Sequence, residues 1–275
     1  MRYLKPLALA SVILIASACG LGTTPAAASD QLATHAHANA TLFAMGQAGA
    51  ELLRLDVEKG TVEVVGPTGV APQSLALAIA PGWRAAYTIA HAQDPALAHL
   101  AKIDLATGAE TPVGSSALGQ NLYVMGMTSS RNGVLYAAGD FTPTSPTFNS
   151  LYTIDKSTGL ATRIGSFGVG SAMSAFIMSL SFDPSGQLFG ASQQSIFRID
   201  RTTGAATKVV DIVGVPLVMG KTRVMGLAFD QQGKLYASDF KDLPTGSTIY
   251  TVDLATGRFT TLIHTDIALV HNIAF

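Results

Sequence analysis

Short stretches of alternating apolar and polar residues, separated by turn sequences, follow one another along the chain from about residue 41 to residue 275. In LYTIDKSTGLATRIG (151–165), LYTID alternates large apolar with small or polar residues, KSTG turns the chain, and LATRIG continues the alternation. Such alternation predicts half-buried β-strands, and a Gly-containing turn between two of them predicts an antiparallel hairpin. The 3.6-residue apolar spacing of a helix does not occur in these stretches.

This hairpin is repeated along the chain. Its copies are LLRLDVEKGTVEVVG (52–66), LAKIDLATGAETPVG (100–114), LYTIDKSTGLATRIG (151–165), IFRIDRTTGAATKVV (196–210) and IYTVDLATGRFTTLI (249–263). A second hairpin lies upstream, most clearly in VMGLAFDQQGKLYASD (224–239). Two hairpins give four antiparallel strands, labelled A to D, and all-strand repeats of roughly 40–50 residues are typical of β-propeller blades.

The two ends of the repeat region complement each other. TLFAMG, starting at Thr41, matches strand B without a preceding strand A, and VHNIAF (270–275) matches strand A with nothing after it. We therefore expect an all-β fold, a five-bladed β-propeller over residues 41–275 with four antiparallel strands per blade. The C-terminal strand would complete the first blade, a 3+1 closure that removes an open sheet edge.

The blade motif also carries a family resemblance. The pattern [LIF]-[YF]-x-[IV]-D-x-x-T-G-x-x-T, seen in IYTVDLATGRFT (249–260), resembles that of secreted bacterial β-propellers, a broad group that includes NHL-like and streptogramin-lyase-like propellers. The resemblance implies the fold over residues 41–275. The motif is the architecture of the blade itself, so it implies no chemistry, and streptogramin-lyase-like proteins have more blades than are predicted here.

The turn Asp of each repeat invites a calcium interpretation, which the spacing disfavours. Calcium loops of the EF type need carboxylates at alternate positions, whereas Leu, Ala, Lys, Ser and Thr follow these Asp residues. A side chain that accepts hydrogen bonds from main-chain N–H groups two residues on, next to a Gly with positive φ, explains the pattern as turn chemistry. We assign no metal or cofactor.

Aligning the blades predicts which residues surround the channel. Strand A of blade 2 is placed at QSLALA (73–78). The first inner column is then Gln73, Met125, Met178, Met225 and His271, the second is Ser74, Gly126, Ser179, Gly226 and Asn272, and an apolar column of Leu75, Met127, Leu180, Leu227 and Ile273 follows. The short A–B and C–D turns share one face of the ring, and the variable B–C and D–A loops share the other. Variable loops on a rigid scaffold are where binding residues are usually found.

Polar residues mark this second face. At the end of strand B, Gln47, His91, Asp140 and Gln193 fall in register, and Asp239 comes one position early. With His271 and Asn272 of the inner columns they are the candidate ligand-binding residues, although solvent exposure at strand ends also explains polar side chains. A metal site would need His91, His264 and His271 to converge.

The composition excludes some partners. Only 13% of residues are charged and the formal net charge is −1, without a basic stripe, so nucleic acid is not expected as a partner. We expect a monomer that binds an unidentified protein, small molecule or glycan. The inner columns contain no Asp or Glu, which disfavours a glycosidase of the usual two-carboxylate type.

The first residues resemble a processing signal. Arg2 and Lys5 precede an apolar run at 7–18 that is too short to span a bilayer, and IASAC ends at Cys19, the only cysteine. We predict a signal peptide at 1–19 with a lipobox-like end and lipidation of Cys19, followed by a flexible linker at 20–40. Cleavage after Ala28 is the alternative. The protein would be exported, either to the periplasm or cell envelope as a lipoprotein that touches the membrane only through its anchor, or as a secreted protein.

Two functions remain open from the sequence. The first is a non-catalytic β-propeller that serves as a ligand- or protein-binding scaffold. The alternative is a hydrolase or lyase whose acid and base residues come from the loops, namely Asp140, Asp239, His91 and His271. A lectin with one sugar site per blade is third, because the B–C loops differ too much from one another.

Overall fold

A computed structural model of the chain describes residues 41–68, 75–83, 85–92, 94, 96–114, 117–119, 122–140, 145–170, 173–215, 224–241 and 246–275. The predicted signal peptide (1–19), Cys19 and the predicted linker (20–40) lie outside the described residues. Within the described residues, no helix has the length and apolar character needed to span a bilayer.

The described residues form five antiparallel sheets of four strands each. Blade 1 contains β1 (Thr41–Gly46), β2 (Glu51–Asp56), β3 (Thr61–Pro67) and, from the far end of the chain, β20 (His271–Ala274). Blade 2 contains β4 (Leu77–Ile79), β5 (Ala86–Ala90), β6 (His99–Ile103) and β7 (Glu110–Pro112), and blade 3 contains β8 (Val124–Ser129), β9 (Leu135–Gly139), β10 (Ser150–Ile154) and β11 (Ala161–Ser166). Blade 4 contains β12 (Ser179–Phe182), β13 (Leu188–Ala191), β14 (Ser195–Ile199) and β15 (Ala206–Asp211), and blade 5 contains β16 (Val224–Phe229), β17 (Leu235–Asp239), β18 (Thr248–Asp253) and β19 (Arg258–His264). The predicted five-bladed β-propeller is confirmed.

The ring is closed by the C-terminal strand. β20 pairs antiparallel with β1, so that Ile273 lies opposite Ala44 and His271 lies opposite Met45. The innermost strands then contact one another in the order β20, β4, β8, β12, β16 and back to β20. The predicted 3+1 closure is therefore confirmed, and main-chain hydrogen bonds join the two ends of the repeat region.

An apolar column lines the axis below the candidate site. Leu77, Met127, Leu180, Leu227 and Ile273, one from each blade, surround a cavity of about 90 Å³. Each of these residues pairs with the corresponding residue of its neighbouring strand, for example Leu77 with Thr88 and Leu227 with Ala237. Contacts from all five inner strands thus make the axis part of the core.

The predicted register of blade 2 was wrong by two residues. β4 spans Leu77–Ile79 rather than 73–78, and Ile79, which the alignment left outside the strand, pairs with Ala86 and is 7% exposed. Leu75 and Ala76 therefore occupy the positions that the alignment gave to Gln73 and Ser74, which lie outside the described residues. Because side chains in a strand alternate with a period of two, a two-residue shift along LALAI keeps the same face buried.

The turn carboxylates behave as expected of turn chemistry. Asp104 Oδ1 accepts hydrogen bonds from the main-chain N–H groups of Ala106 at 2.7 Å and Thr107 at 3.0 Å. Asp155 accepts equivalent bonds, and its hydrogen bond from the Ser157 hydroxyl is the largest of the effects that lower the pKa of Asp155 to about 2. The most repeated residues of the chain therefore hold hairpins together.

Candidate functional site at the loop face

The two faces of the ring differ in how they use left-handed backbone. On the face that carries the A–B and C–D turns, which we call the turn face, a glycine takes positive φ in every described hairpin turn: Gly60, Gly82, Gly108, Gly133, Gly159, Gly186, Gly204, Gly233 and Gly257. On the opposite face, which carries the B–C and D–A loops and which we call the loop face, lie all the described non-glycine residues with positive φ: Gln47, His91, Asp140, Asn149, Leu269 and Asn272. Left-handed backbone costs a residue with a side chain about 1–2 kcal/mol. Backbone strain is thus concentrated on the loop face.

Three of the sequence candidates occupy equivalent strained positions. Gln47, His91 and Asp140 directly follow strand B of blades 1, 2 and 3, with φ of 47°, 53° and 63°. In blade 5 this position belongs to Phe240, because Asp239 pairs with Val224 as Gly139 pairs with Val124. The structure thus confirms that Asp239 stands one position early.

Asp140 organises its own loop. The residue is 9% exposed, and Oδ2 accepts hydrogen bonds from the Ser145 hydroxyl at 2.6 Å and from the Thr147 hydroxyl. Its main-chain oxygen also accepts a bond from the N–H of Asn149 at 2.9 Å. These contacts tie both ends of the B–C loop of blade 3 to one residue.

Asp239 is the centre of a buried polar cluster. Its side chain is 1% exposed and forms an ion pair with Lys241 at 2.8 Å, while the Lys241 side chain is 15% exposed. Asp239 Oδ2 accepts a hydrogen bond from the Tyr250 hydroxyl at 2.7 Å, and Oδ1 accepts one from the N–H of Thr248 at 2.6 Å. Burial, followed by the contact with Asp239, raises the pKa of Tyr250 well above its usual value. The carboxylate therefore has charge compensation and three local partners.

The remaining rim residues have separate surroundings. The ring of His91 lies 5.6 Å from that of His99 in the same blade, and Gln47 is exposed while its N–H donates to Ala268 O at 3.0 Å. Gln193 is partly buried, and its Oε1 has no hydrogen-bond partner. His264 lies 3.2 Å from the hydroxyl of Thr248 through Nδ1. In the described part of the chain, no three His, Cys, Asp or Glu residues are grouped as a metal site would require.

Inside the rim, the mouth of the channel is apolar. The methionine cluster, as we name it, consists of Met125, Met178 and Met225 packed with Phe148, Phe176 and Phe240. The methionines start the inner strands of blades 3, 4 and 5, and the sequence alignment placed them in one column. Phe148 and Phe176 come from loops that have no repeat register, so sequence reasoning missed them. Phe240 stands in register directly after strand B, where the sequence analysis considered only polar residues.

His271 lies beside this cluster. Its ring meets Phe240 nearly edge-on at a centroid distance of 4.6 Å, its residue is 3% exposed, and Nδ1 has no hydrogen-bond partner. Burial lowers the pKa of His271 to about 3, so the imidazole is neutral at physiological pH. The unprotonated nitrogen of a neutral imidazole can bind a metal ion or accept a hydrogen bond.

Asn272 closes the channel at the same level. Its side-chain nitrogen donates hydrogen bonds to Leu75 O at 2.6 Å and Met125 O at 2.5 Å, and the residue is 2% exposed. One amide therefore joins blades 1, 2 and 3 across the axis. The structure brings His271 and Asn272 to the mouth, and it spreads Gln47, His91, Asp140, Gln193 and Asp239 around the rim.

No protein-family model matches the chain, and no curated protein matches it in sequence. Solved structures do resemble it. A protein of unknown function from Bacteroides caccae aligns with a TM-score of 0.53 and 12% identity over 85% of this chain and 97% of that one. A symmetrical protein whose de novo evolutionary emergence is shaped by folding constraints aligns with a TM-score of 0.50 and 14% identity over 84% and 98%. A gluconolactonase from Xanthomonas campestris aligns with a TM-score of 0.48 and 16% identity over 87% and 86%, a likeness that carries no argument about activity. At these identities the comparisons show the fold alone.

Proposed function

We propose that the protein is an exported, non-catalytic β-propeller that binds a ligand or a partner protein with its loop face. The observation that carries this proposal is a difference between the two faces in which residues adopt positive φ. In the hairpin turns of the turn face these residues are glycines, whereas on the loop face Gln47, His91 and Asp140 adopt positive φ at equivalent positions. Strained residues persist where the surrounding structure holds them, and they cluster at functional sites.

The state of the two candidate carboxylates weighs against the hydrolase or lyase alternative. A general acid or base must reach the proton it transfers on the substrate. Asp239 is 1% exposed and is compensated by Lys241, and Asp140 accepts hydrogen bonds from two hydroxyl groups of its own loop. Each carboxylate has a structural task that accounts for its burial and position.

The proposal includes export. The signal-peptide-like start, the lipobox-like IASAC (15–19) and the resemblance to secreted bacterial propellers support it. A lipid on Cys19 would tether the propeller to a membrane surface. Palmitate labelling of the wild type and of Cys19→Ala tests this part: lipidation predicts that only the wild type is labelled, and equal labelling would refute it.

Binding is tested by melting shifts with glycans and peptidoglycan fragments and, for protein partners, by a photo-crosslinking residue placed at Gln47 or at Asn132. Gln47 lies on the loop face and Asn132 is exposed on the turn face, so they form a matched pair. We expect ligand affinity to fall in Gln47→Ala but not in Asn132→Ala, or crosslinks to form from position 47 but not 132. Equal effects at both positions, or substrate turnover that is lost in Asp140→Asn or Asp239→Asn, would overturn the proposal.

A further inference from the structure

Three of the eight methionines of the chain stand at one level of the channel mouth. Met125, Met178 and Met225 each occupy the second residue of a V/I-M-G/S sequence at the start of an inner strand, and their side chains pack in one cluster. The same position in blade 1 belongs to His271, whose ring contacts Phe240 of that cluster. Methionine side chains from three blades therefore pack together, and an imidazole from a fourth contacts the same cluster.

The main chain shows how closely the inner strands approach one another at this level. A Cβ atom added to Gly126 would lie 2.7 Å from Met178 O, and one added to Gly226 would lie 3.1 Å from the N of Ile273. On the other side, the Asn272 amide spans from β20 to Met125 O at 2.5 Å. Small residues next to the methionines, and one bridging amide next to His271, thus hold the inner strands in contact at this level.

The chemistry of the ring is unusual for a plain core. His271 is only 3% exposed, and its Nδ1 has no hydrogen-bond partner. A buried polar atom without a partner ordinarily costs about 1–3 kcal/mol. A bound cation would satisfy that nitrogen. The candidate ligands, three thioethers and one neutral imidazole, are uncharged. A buried monovalent cation therefore leaves less uncompensated charge among them than a divalent one.

We propose that Met125, Met178, Met225 and Nδ1 of His271 bind a soft monovalent cation of the Cu(I) type. Thioether sulfur selects Cu(I) among biological metals, and imidazole is a common copper ligand. Zn²⁺ instead takes thiolate, imidazole and carboxylate ligands, and Ca²⁺ takes oxygen ligands. The phenylalanines of the methionine cluster shield the site from water at the loop face. This inference deepens the proposed binding role by naming the ligand of the mouth, and it rests on that role only for the choice of face.

The test is a titration of the purified full chain with Cu(I) under anaerobic reducing conditions, in competition with a chromophoric chelator, and with Ag(I) as a redox-stable probe. We expect one ion per chain, little affinity for Zn²⁺, and sulfur and nitrogen scatterers at the bound copper by X-ray absorption. Met178→Leu preserves the volume of the side chain and removes the sulfur, so it should keep the fold. It should weaken binding by at least about tenfold, the scale of loss seen when a metal site is disturbed.

Met127→Leu is the matched control, because Met127 lies two residues further along β8 and lines the lower axial cavity instead. It should leave the Cu(I) affinity unchanged. Absence of Cu(I) and Ag(I) binding, or equal affinities in Met178→Leu and Met127→Leu, would refute the site. If neither Cu(I) nor Ag(I) binds while glycan or protein binding still depends on Gln47, the metal site is refuted and the proposed function stands.

Discussion

The side-chain amide of Asn272, in the C-terminal strand of blade 1, donates a hydrogen bond of 2.5 Å to the main-chain oxygen of Met125 in blade 3. The same nitrogen donates to Leu75 O, just before the inner strand of blade 2, at 2.6 Å. The closing strand therefore does more than complete its own sheet. It also satisfies main-chain oxygens of two other blades across the axis.

Asn272→Ala should lower the free energy of unfolding by about 2–6 kcal/mol, because two buried carbonyl groups lose their donor and each costs about 1–3 kcal/mol. Urea denaturation measures the change. Asn132→Ala, at an exposed turn position, should stay within about 0.5 kcal/mol of the wild type. If the two variants were equally stable, the bridge would contribute nothing to ring closure.

Two turn glycines with the same backbone conformation should tolerate alanine differently. Gly60 has φ of 69° and nothing within 4 Å of an added Cβ, whereas at Gly257, with φ of 71°, the Cβ would lie 1.9 Å from Asp211 O of the preceding blade. Gly60→Ala should cost about 1–2 kcal/mol, the price of left-handed backbone alone. Gly257→Ala adds the displacement of main chain in a packed contact, a further 1–3 kcal/mol or so. Equal urea midpoints for Gly60→Ala and Gly257→Ala would show that the main chain between blades 4 and 5 can move apart at little cost in stability.

The ring could be predicted from the sequence because the same strand and turn pattern occurs five times, as in IYTVDLATG (249–257). It misplaced blade 2 because LALAI alternates so regularly that Leu75 and Leu77 are equally good candidates for the apolar column. The A–B turn of that blade also lacks the Asp that fixes the count in blades 4 and 5. Only pairing with Thr88 distinguishes the two leucines.

Aligning the blades also predicted some of the residues at the channel mouth. The alignment placed Met125, Met178, Met225 and His271 in one column, which the structure retains. It could not supply Phe148 and Phe176, because their positions depend on loops that follow no repeat. It passed over Phe240, which stands in register after strand B, because only polar residues were considered at that position. The polar rim was identified as a set of residues, whereas the partners of each one, such as Lys241 for Asp239, depend on loop conformation.

The buried ion pair of Asp239 and Lys241 should be strongly coupled. Asp239→Asn leaves the ammonium group of Lys241 without its partner at 15% side-chain exposure, and breaking such a pair costs about 3–5 kcal/mol. In a double-mutant cycle with Lys241→Met, the combined change should cost clearly less than the sum of the single changes. The exposed pair of Arg54 and Glu63, with side chains 51% and 60% exposed, should couple by no more than about 1 kcal/mol. Additive effects at Asp239 and Lys241 would contradict this prediction.

His271 should give the protein a characteristic loss of stability in mild acid. Burial lowers the pKa of His271 from 6.5 to about 3, so the unfolded chain binds a proton between these values that the folded chain does not. Its contribution is therefore complete above pH 6.5 and declines as the pH falls toward 3, by up to about 1.4 kcal/mol per pH unit.

The window from about pH 6.5 to 5 isolates this effect, because the turn aspartates, whose pKa values are lowered from 3.8 in the folded protein, contribute losses that begin near pH 5. Urea unfolding at a series of pH values measures the slope. His271→Gln should flatten it whatever the variant's absolute stability, whereas His264→Gln, which changes an exposed histidine, should retain it. An unchanged slope in His271→Gln would mean that this imidazole binds protons equally in the folded and unfolded protein, and it would contradict the prediction.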